Sequence, residues 1–139
     1  LGIVIAMPDV MVPTKEARAI LPKEVSVKDM VFHIGNASTM VYAMMTGDLG
    51  LIGRSVKDVF SEPARACLVP YIKEAESQAK SNGAIASFLG GSGPCIISFY
   101  NKSSHEGEHI AESIRRMYSE HDMKCDTWIT EPGSGCRRI

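Results

Sequence analysis

The chain has 139 residues, of which 45% are hydrophobic and 22% are charged, and its formal net charge is -1. This composition is typical of one soluble globular domain of ordinary size. A net charge so close to zero gives no reason to expect a nucleic-acid surface, and no apolar run approaches the roughly 20 residues that span a bilayer. We therefore expect neither nucleic acid nor a membrane as a partner.

The start of the chain predicts a strand and a short helix. Residues 2–7 form an apolar run that ends at a proline, which is typical of a buried strand. Residues 10–13 predict a second short extended stretch. Thr14 is expected to be the N-cap of the helix that follows, and Pro22 to end it. Because the chain begins at Leu1 without a methionine and its first residues already predict a strand, we expect a piece of a longer polypeptide.

The middle of the chain predicts three helices. Ser26 is expected to begin a long amphipathic helix, whose apolar residues recur at helical spacing until Gly47. The methionines of this helix are interpreted as core or interface residues. A short helix is predicted over residues 49–60. Another begins at Pro63 and ends by residues 82–83, an Asn-Gly pair that is typical of a helix C-terminus.

The last third of the chain predicts strands around one helix. The predicted strands cover residues 84–88, 95–100 and 124–130. Trp128, on the last of these, is interpreted as a core residue. Ser103 and Glu106 predict a capping box at the start of the helix. The apolar face of that helix carries Ile110, Ile114 and Met117. Residues 136–139 are expected to form a final short strand.

The order of these elements predicts the fold class. A strand, several helices, two strands, a helix and a strand follow each other along the chain. This is the order of an α+β, ferredoxin-like split βαβ sandwich with extra helices in the first crossover. We predict that residues 1–139 form one such domain.

The cysteines predict no metal or redox site. They are scattered, without the C-x-x-C spacing that zinc and redox sites use. We interpret them as structural thiols, with Cys67 and Cys95 in apolar surroundings where a cysteine is usually a core residue, and infer a reducing, cytoplasmic location. The four cysteines are Cys67, Cys95, Cys125 and Cys136.

A glycine-dense turn separates two of the predicted strands. It consists of Gly90, Gly91, Ser92 and Gly93. Glycines let a backbone approach a ligand or another loop closely, and successive N–H groups can form an anion-binding nest. No Gly-Lys-Ser/Thr follows, and a strand rather than a helix comes next, so neither a Walker A loop nor a dinucleotide fingerprint is present. Composition alone therefore favours a hairpin turn over a phosphate site.

Two arginines are candidate anion ligands. Arg18 lies four residues after Thr14, so both can face the same side of a helix. Arg65 stands near the start of another helix. The planar donor fork of arginine suits carboxylates and phosphates, although surface arginines paired with neighbouring glutamates remain the alternative. His105 and His109 have metal-like spacing but no third ligand, so the residues alone predict neither a metal site nor a catalytic group.

Three segments together resemble a known family. Residues 14–22 (TKEARAILP), 62–70 (EPARACLVP) and 83–96 (GAIASFLGGSGPCI) resemble, in order and spacing, the C-terminal half of the homoserine kinases, which are GHMP kinases. The closing GSGCRRI is also similar. The resemblance implies a ferredoxin-like C-terminal domain. It also implies an enzyme that transfers the γ-phosphoryl group of ATP to the hydroxyl of L-homoserine, giving O-phospho-L-homoserine in threonine biosynthesis, with Mg²⁺ as a cofactor.

The resemblance also implies roles for individual residues. Arg18 and Arg65 are expected to bind the carboxylate of homoserine, with Thr14 in the same pocket. The glycine turn is expected to support the phosphate loop of an N-terminal domain. Pro13 and Gly90 depart from the pattern, because many relatives carry serine there, and a serine hydrogen bond at position 90 is therefore in doubt.

An absent N-terminal domain follows from the same resemblance. That domain would hold ATP and Mg²⁺, so we assign no catalytic or metal-binding residue to this chain and expect the fragment to be inactive and without a bound cofactor. Its expected partners are the N-terminal domain, L-homoserine and ATP, and a homodimer is left open. An exposed hydrophobic surface is expected where the missing domain docks.

Two alternatives remain open. The first is another GHMP small-molecule kinase, of the mevalonate or diphosphocytidyl-methylerythritol type. Arg18 and Arg65 argue against it, because those substrates do not present an amino-acid carboxylate. The second is a ferredoxin-like regulatory module that binds an amino acid, which would need a self-contained pocket.

Overall fold

A four-stranded antiparallel sheet with the strand order β2-β3-β1-β4 organises the chain. The computed structural model describes residues 1–91 and 93–135. The described elements are, in chain order, β1 (Gly2–Pro8), α1 (Thr14–Ala19), α2 (Val27–Thr46), α3 (Leu49–Ser55), α4 (Ser61–Arg65), α5 (Ile72–Ser81), β2 (Ala84–Leu89), β3 (Ile96–Tyr100), α6 (Gly107–Glu120) and β4 (Cys125–Thr130). This order confirms the predicted α+β split βαβ sandwich, with α1 to α4 as the extra helices of the first crossover. The strand predicted over residues 136–139 lies outside the described residues.

The chain after β1 differs from its prediction. Residues 10–13 form no strand, and the Val10 amide instead donates to the carbonyl of Pro8 at 2.8 Å in a tight turn. Thr14 is not an N-cap, because the Pro13 carbonyl already accepts the first helical hydrogen bond, from the Ala17 amide at 3.0 Å. Pro13 therefore holds the cap position, and no side chain caps the helix.

The ends of α2 confirm the sequence prediction. The Ser26 hydroxyl accepts a hydrogen bond from the Asp29 amide at 3.0 Å, and Gly47 closes the helix with a left-handed φ of 71°, which glycine adopts without strain. The next helix is shorter than predicted. It stops at Ser55, and a turn follows in place of its predicted second half. In that turn the carboxylate of Asp58 accepts hydrogen bonds from the amides of Phe60 at 2.9 Å and Ser61 at 2.7 Å.

The predicted capping box before α6 is wrong. The side chain of Asn101 accepts from the Ser103 amide at 3.1 Å, which draws Ser103 into a short 3-10 turn. Glu106 occupies the N-cap position without a capping hydrogen bond from its side chain. Gly107 begins the helix, where a Cβ would stand 2.6 Å from the hydroxyl oxygen of Tyr100.

Helices α5 and α6 cover one face of the sheet and form the main core. The predicted apolar face of α6 is confirmed, because Ile110, Ile114 and Met117 are all buried. They pack with strand residues such as Val4 and Ile96. Tyr118 is buried in the same cluster, and its hydroxyl donates to the carbonyl of Pro70 at 2.9 Å, which ties α6 to the segment before α5.

The other face of the sheet is only partly covered. Helix α3 packs on β2 so closely that a Cβ at Gly53 would stand 2.8 Å from the Ile85 carbonyl oxygen. Helix α2 packs on α3, and of its residues only Ala43 is buried. The apolar side of α2 is otherwise largely exposed, as at Met45, and Trp128 on β4 is 51% exposed. The prediction that Trp128 belongs to the core is therefore wrong, whereas an exposed hydrophobic surface is present as expected.

The cysteines occupy different environments. Cys67 is exposed, Cys95 is half-buried and Cys125 is buried. Burial raises the pKa of the Cys125 thiol to about 11, which keeps it protonated and unreactive at neutral pH. The expectation of a buried Cys67 is wrong, since it lies in the short 3-10 turn after α4 with its thiol against the Ala64 carbonyl. Cys136 lies outside the described residues.

Candidate carboxylate-binding site

A cavity of about 300 Å³ lies where α1, α4 and the end of β2 meet. Five residues that the sequence singled out line it, namely Thr14, Arg18, Arg65, Gly91 and Gly93. The structure therefore brings together three segments that are far apart in the chain. Sequence reasoning missed the rest of the wall, because no local pattern marks it. Those residues are Val12, Ala17, Val69 and Leu89.

Helix α1 presents Thr14 and Arg18 to the cavity from consecutive turns. The two residues are spaced i, i+4, so they project from the same side of the helix. Both are exposed. Within residues 1–91 and 93–135, the guanidinium of Arg18 has no hydrogen-bond or ion-pair partner. Its planar donor fork is therefore free for a ligand.

Arg65 is held in place by backbone carbonyls rather than by a carboxylate. Its Nε donates to the carbonyl of Ala17 at 3.1 Å, and a terminal nitrogen donates to the carbonyl of Gly91 at 3.4 Å. These bonds link α4 to α1 and to the glycine turn. They leave further guanidinium N–H groups for an anion. For the part of the chain that the structure describes, the alternative that either arginine is paired with a glutamate is not supported.

The glycine turn closes the hairpin between β2 and β3, as its composition predicts. The Gly90 amide donates to the Cys95 carbonyl at 2.6 Å, and a Cβ at Gly90 would stand 3.0 Å from that same oxygen. Gly90 is buried behind the turn and is not part of the cavity wall. Gly93 has a left-handed φ of 63°. Ser92 lies outside the described residues.

The charge of the cavity selects its ligands. Among the described residues, two arginines line it and no aspartate or glutamate does, so a small anion with a planar face, such as a carboxylate, suits the donors. Its volume is at the lower end of ligand pockets, which are roughly 300–1,000 Å³. Magnesium does not fit this donor set, because it takes oxygen ligands and usually carboxylates. Across the described residues, no three His, Cys, Asp or Glu side chains converge on a common point, and no helix is long and apolar enough to cross a membrane.

Comparisons with curated proteins find homoserine kinases among the relatives of this chain. Homoserine kinase from Pyrococcus furiosus is 33% identical over 135 residues, covering 97% of this chain and 45% of the relative. The homoserine kinase of Methanococcus maripaludis is 39% identical over 137 residues, covering 98% of this chain and 43% of the relative. The chain thus spans less than half the length of the curated relatives it matches.

A solved structure and a family model match as well. The crystal structure of homoserine kinase from Cytophaga hutchinsonii superposes with a TM-score of 0.89 at 31% identity, covering 94% of this chain and 41% of that one. The family model described as "GHMP kinases C terminal" matches residues 40–120, which is more than half of the chain. This chain therefore belongs to the family of GHMP kinase C-terminal domains.

Proposed function

We propose that this chain is the C-terminal, substrate-binding half of a homoserine kinase. The observation that carries the proposal is one small cavity in which Arg18 and Arg65, from separate segments, meet with no Asp or Glu among the described residues of the wall. An amino-acid carboxylate is a ligand that such a pair binds well. The printed name of the relatives, homoserine kinase, gives the substrate and the type of reaction. In this proposal the γ-phosphoryl group of ATP is transferred to the hydroxyl of L-homoserine, giving O-phospho-L-homoserine in threonine biosynthesis in the cytoplasm.

In this proposal the chain binds and orients the substrate. Arg18 and Arg65 hold the carboxylate, and the Thr14 hydroxyl contacts the same end of the molecule. The side-chain hydroxyl of homoserine is then directed away from the arginines, toward the incoming phosphoryl group. Phosphoryl transfer depends mainly on such positioning and on charge stabilisation. The apolar side chains of Val69 and Leu89 keep water from one wall of the cavity.

The remaining parts of the reaction require a second domain. We propose that an N-terminal domain binds ATP and Mg²⁺, since the donors of this cavity suit neither the metal nor an adenine ring. Gly91 is exposed, and a Cβ there would meet no atom within 4 Å. A phosphate-binding loop could therefore approach the glycine turn closely. The exposed apolar side of α2 is available to such a domain or to a second copy of the chain.

A regulatory module is the second candidate function. The cavity is lined by this chain's own residues, which is what an independent amino-acid-binding module needs. In that case the isolated chain would bind an amino acid such as L-threonine with measurable heat. Titration calorimetry of the isolated chain with L-threonine, and with L-homoserine for comparison, separates the module from a half-site that needs its other domain.

The direct test of the proposed function is a substrate panel. The full-length polypeptide, incubated with ATP and Mg²⁺, is expected to phosphorylate L-homoserine and to leave mevalonate unmodified. The isolated 139-residue chain is expected to show no turnover. Phosphorylated product is quantified by mass spectrometry. A preference for mevalonate would favour another GHMP kinase, and turnover by the isolated chain would contradict the need for a second domain.

A further inference from the structure

Glu62 is a half-buried carboxylate outside the cavity whose two oxygens are both engaged. One oxygen accepts a hydrogen bond from the backbone amide of Leu89 at 2.9 Å. The other accepts from the Lys73 ammonium at 2.7 Å. The Glu62 side chain is only 15% exposed. Because β2 is an edge strand of the described sheet, this carboxylate supplies the Leu89 amide with a partner that none of the four described strands provides.

Lys73 holds this carboxylate in place through an ion pair. Its ammonium also pairs with Glu76 at 3.1 Å, so two carboxylates share one cation. Burial raises the pKa of Glu76. Burial also works against the charged form of Lys73, but its hydrogen bonds to the two glutamates outweigh burial and raise the pKa of the lysine. The cation therefore stays charged at neutral pH and anchors Glu62 to α5.

Glu62 and Arg65 bind the same short segment of backbone. They stand three residues apart on α4, so they lie on neighbouring positions of one helical turn. Glu62 accepts from the amide of Leu89, and Arg65 donates to the carbonyl of Gly91 two residues later. The carboxylate thus holds an N–H group and the guanidinium a C=O group of the same strand end.

Helix α4 needs these contacts because it has only five residues. A helix of that length is not stable through its own hydrogen bonds, so tertiary contacts set its position. The contact of Glu62 lies at its start, and those of Arg65 lie at its end. Without the contact of Glu62, α4 would be free to rotate about the contacts of Arg65. The guanidinium of Arg65 would then lose its orientation toward the cavity.

We propose that Glu62 is a positioning residue that holds α4 on the end of β2, so that Arg65 keeps the orientation in which it binds the substrate carboxylate. The inference rests on the proposed function, since it assigns Arg65 to substrate binding. Glu62 itself lies outside the cavity wall and touches no substrate. Its effect is therefore expected on the binding of homoserine and not on the chemical step.

Steady-state kinetics of the full-length kinase test this role. Glu62→Ala is expected to raise the KM for L-homoserine about 10-fold, with kcat and the KM for ATP changed by less than about twofold. Glu62→Gln is expected to restore most of the affinity, because its amide oxygen can still accept from the Leu89 amide. In an Arg65→Ala background, Glu62→Ala should cause no further rise in KM, because it acts through Arg65.

The matched control is Glu74→Ala. Glu74 is an exposed carboxylate on α5 that bonds to His121 at 3.0 Å and lies outside the cavity wall. Its removal should leave all kinetic constants unchanged. If Glu62→Ala does not fold, Glu62→Asp serves instead, because its shorter side chain keeps the charge but cannot reach both partners, and the same rise in KM is expected.

The outcomes separate the inference from the function on which it rests. A raised KM in Arg65→Ala together with an unchanged KM in the Glu62 variants would overturn the inference alone. So would equal effects of Glu62→Ala with and without Arg65, because they would show an independent structural role. An unchanged KM for homoserine in Arg65→Ala would overturn the proposed carboxylate site, and the positioning role with it.

Discussion

In the full-length homoserine kinase that we propose, Arg18→Ala is expected to raise the KM for L-homoserine about 100-fold, a loss of about 2.7 kcal/mol of binding free energy. The guanidinium lines the cavity and has no partner among the described residues. Its removal therefore deletes a ligand contact without leaving a protein group unpaired. The KM for ATP should change little, because ATP is proposed to bind to the N-terminal domain and not to Arg18. Initial rates measured against each substrate in turn give both constants.

Lys15→Ala is the matched control for this experiment. Lys15 is an exposed cation on the same helix, α1, but it is not part of the cavity wall. Its removal changes the net charge as Arg18→Ala does, so a general electrostatic effect would appear in both variants. An unchanged KM for homoserine in Arg18→Ala would contradict a carboxylate site at Arg18. So would a rise in the KM for ATP as large as the rise in the KM for homoserine.

The Ile114→Ala variant is expected to lower the free energy of unfolding by about 3 kcal/mol, within the range of about 2–5 kcal/mol for large-to-alanine changes in a core. Ile114 is fully buried between α6 and the sheet. Its truncation leaves a cavity that the neighbouring helix and strands cannot fill without moving. Urea unfolding of the isolated chain, followed by circular dichroism, measures the change.

Ile34→Ala provides the comparison, because the same side chain is there 61% exposed on α2. A surface substitution of this kind is expected to change the unfolding free energy by less than about 0.5 kcal/mol. Equal losses in the two variants would contradict the description of the core. A large loss at Ile34 alone would show that the exposed side of α2 is covered in solution.

Periodicity in the sequence predicted α2 and α6, but it joined α4 and α5 into one helix from Pro63, whereas a 3-10 turn over Ala66–Leu68 separates the two. Periodicity also could not say what covers the helices. Both α2 and α6 carry apolar residues at helical spacing. Those of α6, such as Ile114, are buried against the sheet, whereas those of α2, such as Ile34, remain exposed. Trp128 shows the same limit in a strand, since alternation along β4 does not tell which face of the sheet a helix occupies. Whether an apolar face is covered depends on the topology of the fold and on binding partners. The residue pattern of a single helix or strand contains neither.

Helix ends were harder to predict because neighbouring groups decide which residue takes the cap position. Thr14 is a good capping residue by type, but the carbonyl of Pro13 comes first. Ser103 is drawn into a separate turn by Asn101. Where no competitor stands nearby, as at Ser26, the predicted cap is observed.

The site depended on both local and distant information. The spacing of Thr14 and Arg18 is a helical relation that the sequence contains in full. Arg65 lies far along the chain, and its approach to Arg18 depends on α4, whose position is set by Glu62 and the end of β2. No periodicity predicts such a meeting. Only the resemblance to a family with the same motifs placed the two arginines together before the structure did.

Discrimination between substrates with and without a carboxylate shows whether the cavity binds that group. In the full-length kinase, kcat/KM is measured for L-homoserine and for 3-amino-1-propanol. This analogue keeps the amine and the hydroxyl of homoserine but lacks the carboxylate. The wild-type enzyme should prefer homoserine by at least about 1,000-fold, because the analogue leaves both arginines without their anion. In Arg18→Ala this preference should fall by about 100-fold, since only homoserine loses a contact. Equal use of the two compounds by the wild type, or an equal loss for both in Arg18→Ala, would contradict carboxylate binding in this cavity.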